Sequence, residues 1–466
     1  MTDREKVSSY LPDERPPIGK LLLYALQQVI VMFPATVTVA LITGFQVSTT
    51  IFASGLATVC FILITGRKIP MYYGSSFAYL AAIGSMVLAE GGVKDAGGIL
   101  PPDLISKAQF GIIASGIVSV IAGLLVRWGG KDKVEKILPA QVTGPIAMII
   151  GLALAGAAMS DAAPQALPGG GMQSSLVWII SLVTLLSTVV YSRRLKGFMG
   201  QLPLLLGALT GCAAAALIYL FGGGNFFRPF PEAALSASIW KLGDGGIFAL
   251  PAFTLPKVSW AAVAAIMPIA IATIPESTAH IYQLDIYVNN EAKKKGRRFD
   301  IASLLDRNLI GDGLCDMISG AVGGPAGTNY GENISTMAIT KVFSVPVMFA
   351  AGILAMAISC LTPLTKVIYG IPQAVIGGLE IYLFGAIAAQ GIAILIDKGV
   401  SMFDSRNIAV IAVIMTFGLG VNYGFGGNIN MFGLNVPAIA GAAVLGILVN
   451  LILSIGDKKE KAVTSK

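Results

Sequence analysis

The chain has 466 residues, of which 55% are hydrophobic and 12% are charged, and its formal net charge is +7. Soluble domains contain about 25% charged residues, so this composition excludes an ordinary soluble protein and predicts a polytopic membrane protein. The basic residues form short clusters between apolar runs rather than one basic face, which argues against a nucleic-acid-binding protein.

Apolar runs of nearly 20 residues recur along the chain, and each could cross roughly 30 Å of hydrocarbon. The sequence predicts fourteen such segments, near residues 20–43, 49–66, 71–90, 108–127, 138–158, 175–192, 202–221, 259–283, 303–322, 328–345, 347–362, 371–396, 408–422 and 434–455. We therefore expect a transmembrane region at 19–455 between short tails at 1–18 and 456–466. The first run is longer than the apolar part of a signal peptide, so we expect it to be retained.

The distribution of Lys and Arg over alternate loops predicts the orientation, because cytoplasmic loops are enriched in these residues. One set of loops, which includes both tails, holds 26 of the 32 basic residues, and the opposite set holds 6. We therefore expect an even number of spans with both termini in the cytoplasm.

The four cysteines lie singly inside apolar runs without CxxC spacing, at Cys60, Cys212, Cys315 and Cys360. This pattern predicts packing roles and no metal site. The sequence also lacks a plausible nucleophile constellation, so we expect no enzymatic activity.

A glycine-rich passage, Gly323 to Ser335, interrupts the apolar runs and contains the carboxylate of Glu332. Irregular backbone and ionisable side chains are tolerated at membrane depth only where they are buried in protein or line a polar cavity. The passage is therefore a candidate binding site for a small, flat, hydrogen-bonding ligand, with Phe77 or Tyr330 against its ring face. The alternative is a re-entrant packing element.

Two short matches suggest an internal repeat. Tyr73 to Ser76 in the third segment resembles Tyr330 to Asn333 in the tenth, and Pro34 to Thr36 in the first resembles Pro275 to Ser277 in the eighth. Both matches have an offset of seven segments, and seven is odd, so the two halves would be inverted relative to each other.

Further ionisable residues lie inside the apolar runs. Glu276 and His280, the only histidine, are one helical turn apart in the eighth segment, which suits proton uptake and release. The alternative is a structural pair between two helices. We assign Asp312, Asp316 and Glu380 to helix contacts or cavity edges.

Four stretches together resemble the nucleobase–ascorbate transporter family, also called nucleobase:cation symporter 2, and within it the bacterial uracil permeases. They are Leu26 to Thr36, Lys68 to Ala78, Glu276 with His280, and Tyr330 to Lys341. The family pattern has Gln, Glu or Pro followed by Asn, a glycine two positions later, and Thr before the final basic residue or Gly. Residues 332–341 match it except that Ser335 stands where Gly is usual.

The resemblance implies an all-α membrane protein with fourteen segments in a 7+7 inverted repeat and short strands in segments 3 and 10. It implies a core domain at about 19–130 and 259–362 and a gate domain at about 135–225 and 371–455. The substrate would lie between the two strands beside segment 8, and the protein would be a homodimer through the gate domain.

The resemblance also implies roles for individual residues. Glu276 would bind the base and couple it to a proton with His280 and Glu332. The implied substrate-binding residues are Glu276, Glu332, Phe77, Gly331, Tyr330, Gln28 and Ser76, and the implied site-shaping residues are Asn333, Ala35 and Thr36. Relatives commonly have His at position 28, and the Gln28 amide cannot titrate, so proton transfer would fall on Glu276 and His280.

These observations predict a proton-coupled importer of a nucleobase in the bacterial inner membrane, with uracil as the first candidate and no cofactor besides the proton. Glu332 instead of Gln resembles uracil-type members. The alternatives are a xanthine or purine permease, an anion transporter of the same fold, and a membrane receptor that does not transport. Two carboxylates in the site argue against an anion, because like charges repel.

Overall fold

The computed structural model describes residues 9–95, 98–130, 138–166, 171–229, 247–431 and 434–463. Arg4 and Lys6 in the N-terminal tail, the loop lysines Lys131, Lys133, Lys136 and Lys241, and Lys466 at the C-terminus lie outside these ranges. Within them the chain forms seventeen α-helices. The helices are α1 Ile18–Thr43, α2 Val47–Ile64, α3 Leu80–Ala89, α4 Pro102–Gly129, α5 Ala140–Ala153, α6 Ala155–Ala162, α7 Leu176–Arg194, α8 Pro203–Leu220, α9 Trp260–Ile266, α10 Ala270–Ala292, α11 Leu305–Val322, α12 Gly331–Thr340, α13 Val345–Ser359, α14 Thr362–Tyr369, α15 Gln373–Asp397, α16 Ser405–Gly424 and α17 Ala438–Val463.

Ten helical segments in the described ranges are long and apolar enough to cross a membrane, which confirms a mostly helical membrane protein. They are α1, α2, α4, α5 with α6, α7, α8, α9 with α10, α15, α16 and the first part of α17. The other four expected segments contain shorter or more polar helices, namely α3, α11, α12 and α13. Helix α17 continues to Val463, so most of the predicted C-terminal tail is helical.

Two short strands meet in the middle of the fold, as the family resemblance implies for segments 3 and 10. Strand β1, Tyr73–Ser75, pairs antiparallel with β2, Gly327–Asn329, so that Gly74 lies opposite Thr328. All residues of both strands are buried. A short helix follows each strand: a 3-10 turn at Phe77–Tyr79 leads into α3, and α12 begins at Gly331.

A second antiparallel pair, β3 Asn428–Met431 with β4 Leu434–Pro437, was not predicted. Its sequence alternates apolar and polar residues after Gly426 and Gly427, which is the usual pattern of a half-exposed hairpin. The apolar stretch from 434 was instead assigned to the last membrane segment, which begins at Ala438.

Glycine residues allow the long helices to approach closely. A Cβ at Gly116 in α4 would lie 2.4 Å from the carbonyl oxygen of Gly313 in α11, and a Cβ at Gly55 in α2 would lie 2.5 Å from that of Gly352 in α13. Gly391 in α15 approaches Gly144 in α5 in the same way. Small residues of this kind stabilise helix pairs in membranes because the backbones can pack directly together.

The N-terminal segment before α1 is docked onto the ends of two helices. The Tyr10 carbonyl accepts a hydrogen bond from the Phe343 N–H at 2.7 Å, in the turn after α12. Arg297, which follows α10, forms ion pairs with Asp13 and Glu14. The segment therefore links the ends of α10 and α12, the two helices that contain Glu276 and Glu332.

Candidate functional site

A cavity of about 1340 Å³ lies beside the paired strands. Residues from many elements line it, and these include the start of the 3-10 turn after β1, the middle of α10, the first turn of α12, and α15. Among the predicted site residues, the lining includes Ala35, Ser76, Phe77, Glu276, His280, Tyr330, Gly331 and Glu332. Most of the predicted site residues therefore come together around one space.

The cavity extends toward one end of the molecule. Ser192 near the end of α7 and Lys398 after α15 belong to its lining, as does Leu138 before α5. These residues adjoin loops of the set that is rich in Lys and Arg. The mouth of the cavity therefore lies on the basic side of the protein.

Glu276 and Glu332 face the cavity from different helices. Glu276 follows Pro275 within α10 and is half-buried, whereas Glu332 lies in the first turn of α12 and is exposed to the cavity. The two carboxyl groups are close enough to interact electrostatically. An acidic side chain in the first turn of a helix is also favoured by the helix dipole.

His280 lies one turn after Glu276 and contacts the start of α12. A Cβ at Gly331 would be 3.0 Å from the His280 Nε2 atom, so this position has room for little more than glycine. The imidazole also interacts with the backbone of Asn329 at the end of β2. His280 therefore connects the helix of Glu276 to the helix of Glu332.

Tyr330 lines the cavity, and its ring and hydroxyl are also fixed against β1 and α1. Its hydroxyl lies 3.1 Å from the Thr36 hydroxyl and donates to the Ser75 carbonyl at 2.8 Å. Its ring lies directly against Gly74, where a Cβ would be 2.4 Å away. Tyr330 is 4% exposed, so it positions β1 relative to α1.

Gln28 and Asn333 form a buried pair. The Asn333 amide donates to the Gln28 side-chain oxygen at 2.8 Å and to its backbone carbonyl at 3.0 Å. Neither residue belongs to the cavity lining, and the same is true of Thr36. The structure therefore does not bring Gln28 to the site predicted to hold substrate, and its amide instead ties α12 to α1.

The residues after β1 form the wall opposite Glu276. Ser76 is buried, and its hydroxyl accepts a hydrogen bond from the Ala78 N–H at the start of the 3-10 turn. Phe77, the first residue of that turn, is half-buried and lines the cavity. The turn thus presents backbone and an aromatic ring to the same space as the two carboxylates.

Sequence reasoning undervalued Asp316. Its carboxylate accepts hydrogen bonds from the Tyr73 hydroxyl in β1 and from the Gly327 N–H in β2. Asp312, one turn earlier on α11, is also buried and contacts Ser277 beside Glu276. The four-residue spacing of two aspartates in an apolar run was the available signal, but the sequence could not identify the strands as their partners.

The site combines features suited to a planar polar ligand. Two carboxylates can accept hydrogen bonds from ring N–H groups, and free backbone N–H groups at the start of α12 can donate to carbonyl oxygens. The aromatic ring of Phe77 offers an apolar surface. Such a mixture of an apolar wall and a few directed polar groups is typical of small-molecule sites.

Comparison with known proteins identifies the family. The model of the xanthine/uracil permeases, described as Permease family, matches residues 19–427. The uracil permease of Bacillus caldolyticus is 34% identical over 448 residues, covering 94% of this chain and 93% of that protein. The putative pyrimidine permease RutG of Escherichia coli is 32% identical, covering 95% of this chain and 91% of that protein.

Solved structures share the fold at low sequence identity. The overall structure of SLC26A9 matches with a TM-score of 0.62 at 12% identity, covering 94% of this chain and 65% of that longer chain. The transmembrane domain of the cyanobacterial bicarbonate transporter BicA matches with a TM-score of 0.54 at 15% identity, covering 94% and 97%. The chain therefore belongs to the xanthine/uracil permease family, nucleobase:cation symporter 2, and is a transporter rather than an enzyme.

Proposed function

We propose that this protein imports uracil together with a proton by alternating access. The observation that supports this most strongly is the shared cavity of Glu276, within α10, and Glu332, in the first turn of α12. The relatives named as uracil permeases support the choice of substrate.

Uracil matches the chemistry of the site. Its two ring N–H groups require acceptors, which the carboxylates of Glu276 and Glu332 can supply, and its two carbonyl oxygens require donors. The backbone N–H groups of Phe77 and Gly331 are suitably located to donate to them. The carbonyl oxygens also gain from the positive end of the α12 dipole.

Glu276 is our candidate for the coupling proton. During alternating access the site is closed off from one aqueous phase before it opens to the other. An ionised carboxylate in the closed site is costly, because at membrane depth it must be paired or neutralised. Binding of a proton removes that cost, so substrate and proton would move together. His280, one turn away, would orient Glu276 or share its proton.

The proposed architecture is the 7+7 inverted repeat with a core and a gate domain. Helices α2, α4, α11 and α13 pack together, and α5, α6, α7 and α8 pack around α15, which supports this division. The excess of Lys and Arg on the side of the cavity mouth supports cytoplasmic termini and an inward-open conformation. A homodimer through the gate domain completes the proposal.

Uptake of labelled uracil in cells that lack nucleobase transport tests the function. We expect saturable uptake that is suppressed when the proton gradient is dissipated, and competition by unlabelled uracil and thymine that is stronger than competition by xanthine or hypoxanthine. Preferential inhibition by xanthine would identify a purine permease instead. A requirement for a sodium gradient would contradict proton coupling, and sulfate or chloride flux without uracil uptake would contradict the proposal as a whole.

A further inference from the structure

A second cluster of ionisable side chains lies away from the cavity. It contains Asp161 in α6, Glu380 in α15, Lys94 in the chain after α3, and Arg228 after α8. None of these residues belongs to the cavity lining. Sequence analysis assigned Glu380 to helix contacts, and the mechanism proposed above does not use it.

The cluster lies at the opposite end of the protein from the cavity mouth. Lys398, which lines the mouth, follows the last turn of α15, whereas Glu380 lies about 27 Å earlier on the same helix at 1.5 Å per residue. An apolar layer separates the cluster from the cavity. It consists of Val39, Leu80, Ala158, Leu383 and Phe384, packed together with Phe77 on the cavity side and Ile42.

The two carboxyl groups of the cluster are close enough to interact electrostatically. Glu380 is 1% exposed, and within the described part of the chain neither of its oxygens accepts a hydrogen bond from an N–H or hydroxyl donor. The two helices pack closely at this level, since a Cβ at Gly377 in α15 would lie 2.2 Å from the backbone nitrogen of Ala162 in α6. Glu380 is buried and Asp161 is half-buried, and two ionised carboxylates held this close repel each other, which favours a proton shared by the pair.

Lys94 approaches this pair from α1 and α3 rather than from α6 and α15. Its ammonium donates to the Ile42 carbonyl at 2.5 Å, near the end of α1, and its charge acts on both Asp161 and Glu380. Helices α1 and α3, which flank Lys94, belong to the proposed core domain, and α6 and α15 belong to the proposed gate domain. Lys94 is thus the cation that spans the two domains in this cluster.

Arg228, unlike Lys94, is bound to the start of α15. Its guanidinium donates to the Ile371 carbonyl at 2.9 Å and to the Gln373 side chain at 3.1 Å, at the start of α15. Its charge also acts on Asp161. Arg228 would therefore stay with α15 when the domains move, whereas Lys94 would leave with α1.

We propose that Asp161 and Glu380 form a second proton-binding site, which controls opening of the face opposite the cavity mouth. In the closed state shown here the pair holds one proton, and Lys94 compensates its remaining negative charge. When the core domain moves away, Lys94 leaves, and a second proton from the adjoining aqueous phase neutralises the pair. That proton returns to the same phase when Lys94 closes on the pair again. This inference rests on the proposed alternating access.

Accessibility of the apolar layer tests the inference. In a background with the four native cysteines replaced by alanine, Val39→Cys places a thiol in the layer, and a membrane-impermeant maleimide added outside cells reports its opening. Uptake of one proton on opening predicts that labelling accelerates as the outside pH falls, by up to about tenfold per pH unit. The double variant Asp161→Asn/Glu380→Gln removes both carboxyl groups and therefore the ionised form, so we expect rapid labelling with less than about twofold dependence on pH.

Two further variants distinguish the effect of the Asp161–Glu380 pair on labelling from a general effect of charge. Lys94→Gln should accelerate labelling at every pH, because the closed state loses its compensating cation. Glu90→Gln is the matched control, since Glu90 pairs with Lys107 at the protein surface outside the cluster, and it should keep the parental pH response. Each variant is compared only if it elutes as a single species from size exclusion in detergent.

Binding of labelled uracil to the same purified proteins distinguishes the two proposals. If the parent and the double variant Asp161→Asn/Glu380→Gln both bind uracil and the double variant keeps the pH response of labelling, the proton site alone is overturned. A folded parent protein that binds no nucleobase would overturn the proposed function. Loss of the pH response in the double variant with preserved uracil binding would support the second proton site.

Discussion

The Asp316 carboxylate accepts a hydrogen bond from the Gly327 N–H at 2.8 Å, and it also accepts one from the Tyr73 hydroxyl. One buried side chain on α11 therefore holds both strands of the site from behind. The strands are only three residues long, and two-stranded ribbons of that length are not stable alone. The geometry at the cavity thus depends on a residue that does not contact the cavity.

Replacement of Asp316 tests this dependence. Asp316→Ala leaves the Tyr73 hydroxyl and the Gly327 N–H buried without their acceptor, and each such group costs about 1–3 kcal/mol. We expect a lower unfolding temperature in detergent and weaker uracil binding. Asp306→Ala is the control on the same helix, because its ion pair with Arg127 is at the surface and contributes about 0–1 kcal/mol. Equal effects of both substitutions would contradict the role of Asp316.

The Tyr330 hydroxyl should couple to Thr36. Tyr330→Phe keeps the ring against Gly74 but removes the contact with Thr36 and the hydrogen bond to the Ser75 carbonyl. In a double-mutant cycle with Thr36→Val, uracil binding should show a coupling energy of about 0.5–1.5 kcal/mol. Strictly additive effects would mean that the two hydroxyls act independently.

Gly74 has no room for a side chain. A methyl group there would lie 2.4 Å from the Tyr330 ring, so Gly74→Ala must displace either β1 or the ring. We expect a loss of uracil binding of at least about tenfold, because overpacking of this kind typically costs 1–3 kcal/mol. Gly84→Ala in α3 is the control, since nothing lies within 4 Å of its added Cβ, and it should bind uracil like the parent. Parental affinity of Gly74→Ala would show that the strand is not fixed by this contact.

Docking of the N-terminal segment before α1 should depend on the ionisation of Asp13. The hydrogen bond from Arg297 holds the pKa of Asp13 below its usual value. Ionised Asp13 therefore stabilises docking at any pH above the ordinary Asp pKa of about 3.9. This stabilisation is lost only as the pH falls through the lower pKa that Asp13 has in the docked state. Cleavage of the Glu14–Arg15 bond by the glutamate-specific protease Glu-C reports whether the segment is docked, and the docked fraction should be independent of pH between about 6 and 8.

The same assay tests the partner of Asp13. Arg297→Ala should accelerate Glu-C cleavage after Glu14, because Asp13 and Glu14 lose an ion-pair partner. Arg298→Ala, a change of the exposed neighbouring arginine, should leave the rate unchanged. Equal rates in all three proteins would show that the ion pairs do not hold the segment.

The sequence indicated the two interrupted segments and the carboxylates of the cavity because these features are local, whereas the strand pair was implied by the family resemblance. The Tyr-Gly dipeptides interrupt apolar runs, and carboxylates at membrane depth have few explanations other than a site. The predicted helix ends were less accurate where a helix continues with polar residues beyond its apolar run. Helix α10, for example, continues to Ala292 rather than ending at residue 283.

The remaining features depend on contacts between distant parts of the chain. Nothing near Gln28 indicates that its amide binds Asn333, 305 residues later. Likewise, nothing near Asp316 indicates that it binds the Tyr73 hydroxyl, and nothing near Lys94 indicates that it binds the Ile42 carbonyl. Such pairs depend on the packing of the helices, which periodicity and composition do not specify.

The most direct test of the transport mechanism is the uptake of labelled uracil by Glu276→Gln, compared with Glu291→Gln. Both changes neutralise a carboxylate on α10, but Glu291 pairs with Lys294 at the end of the helix and lies outside the cavity lining. We predict that Glu276→Gln abolishes proton-driven accumulation at normal expression, whereas Glu291→Gln transports like the parent. Accumulation by Glu276→Gln at the parental rate would contradict the central role of this carboxylate.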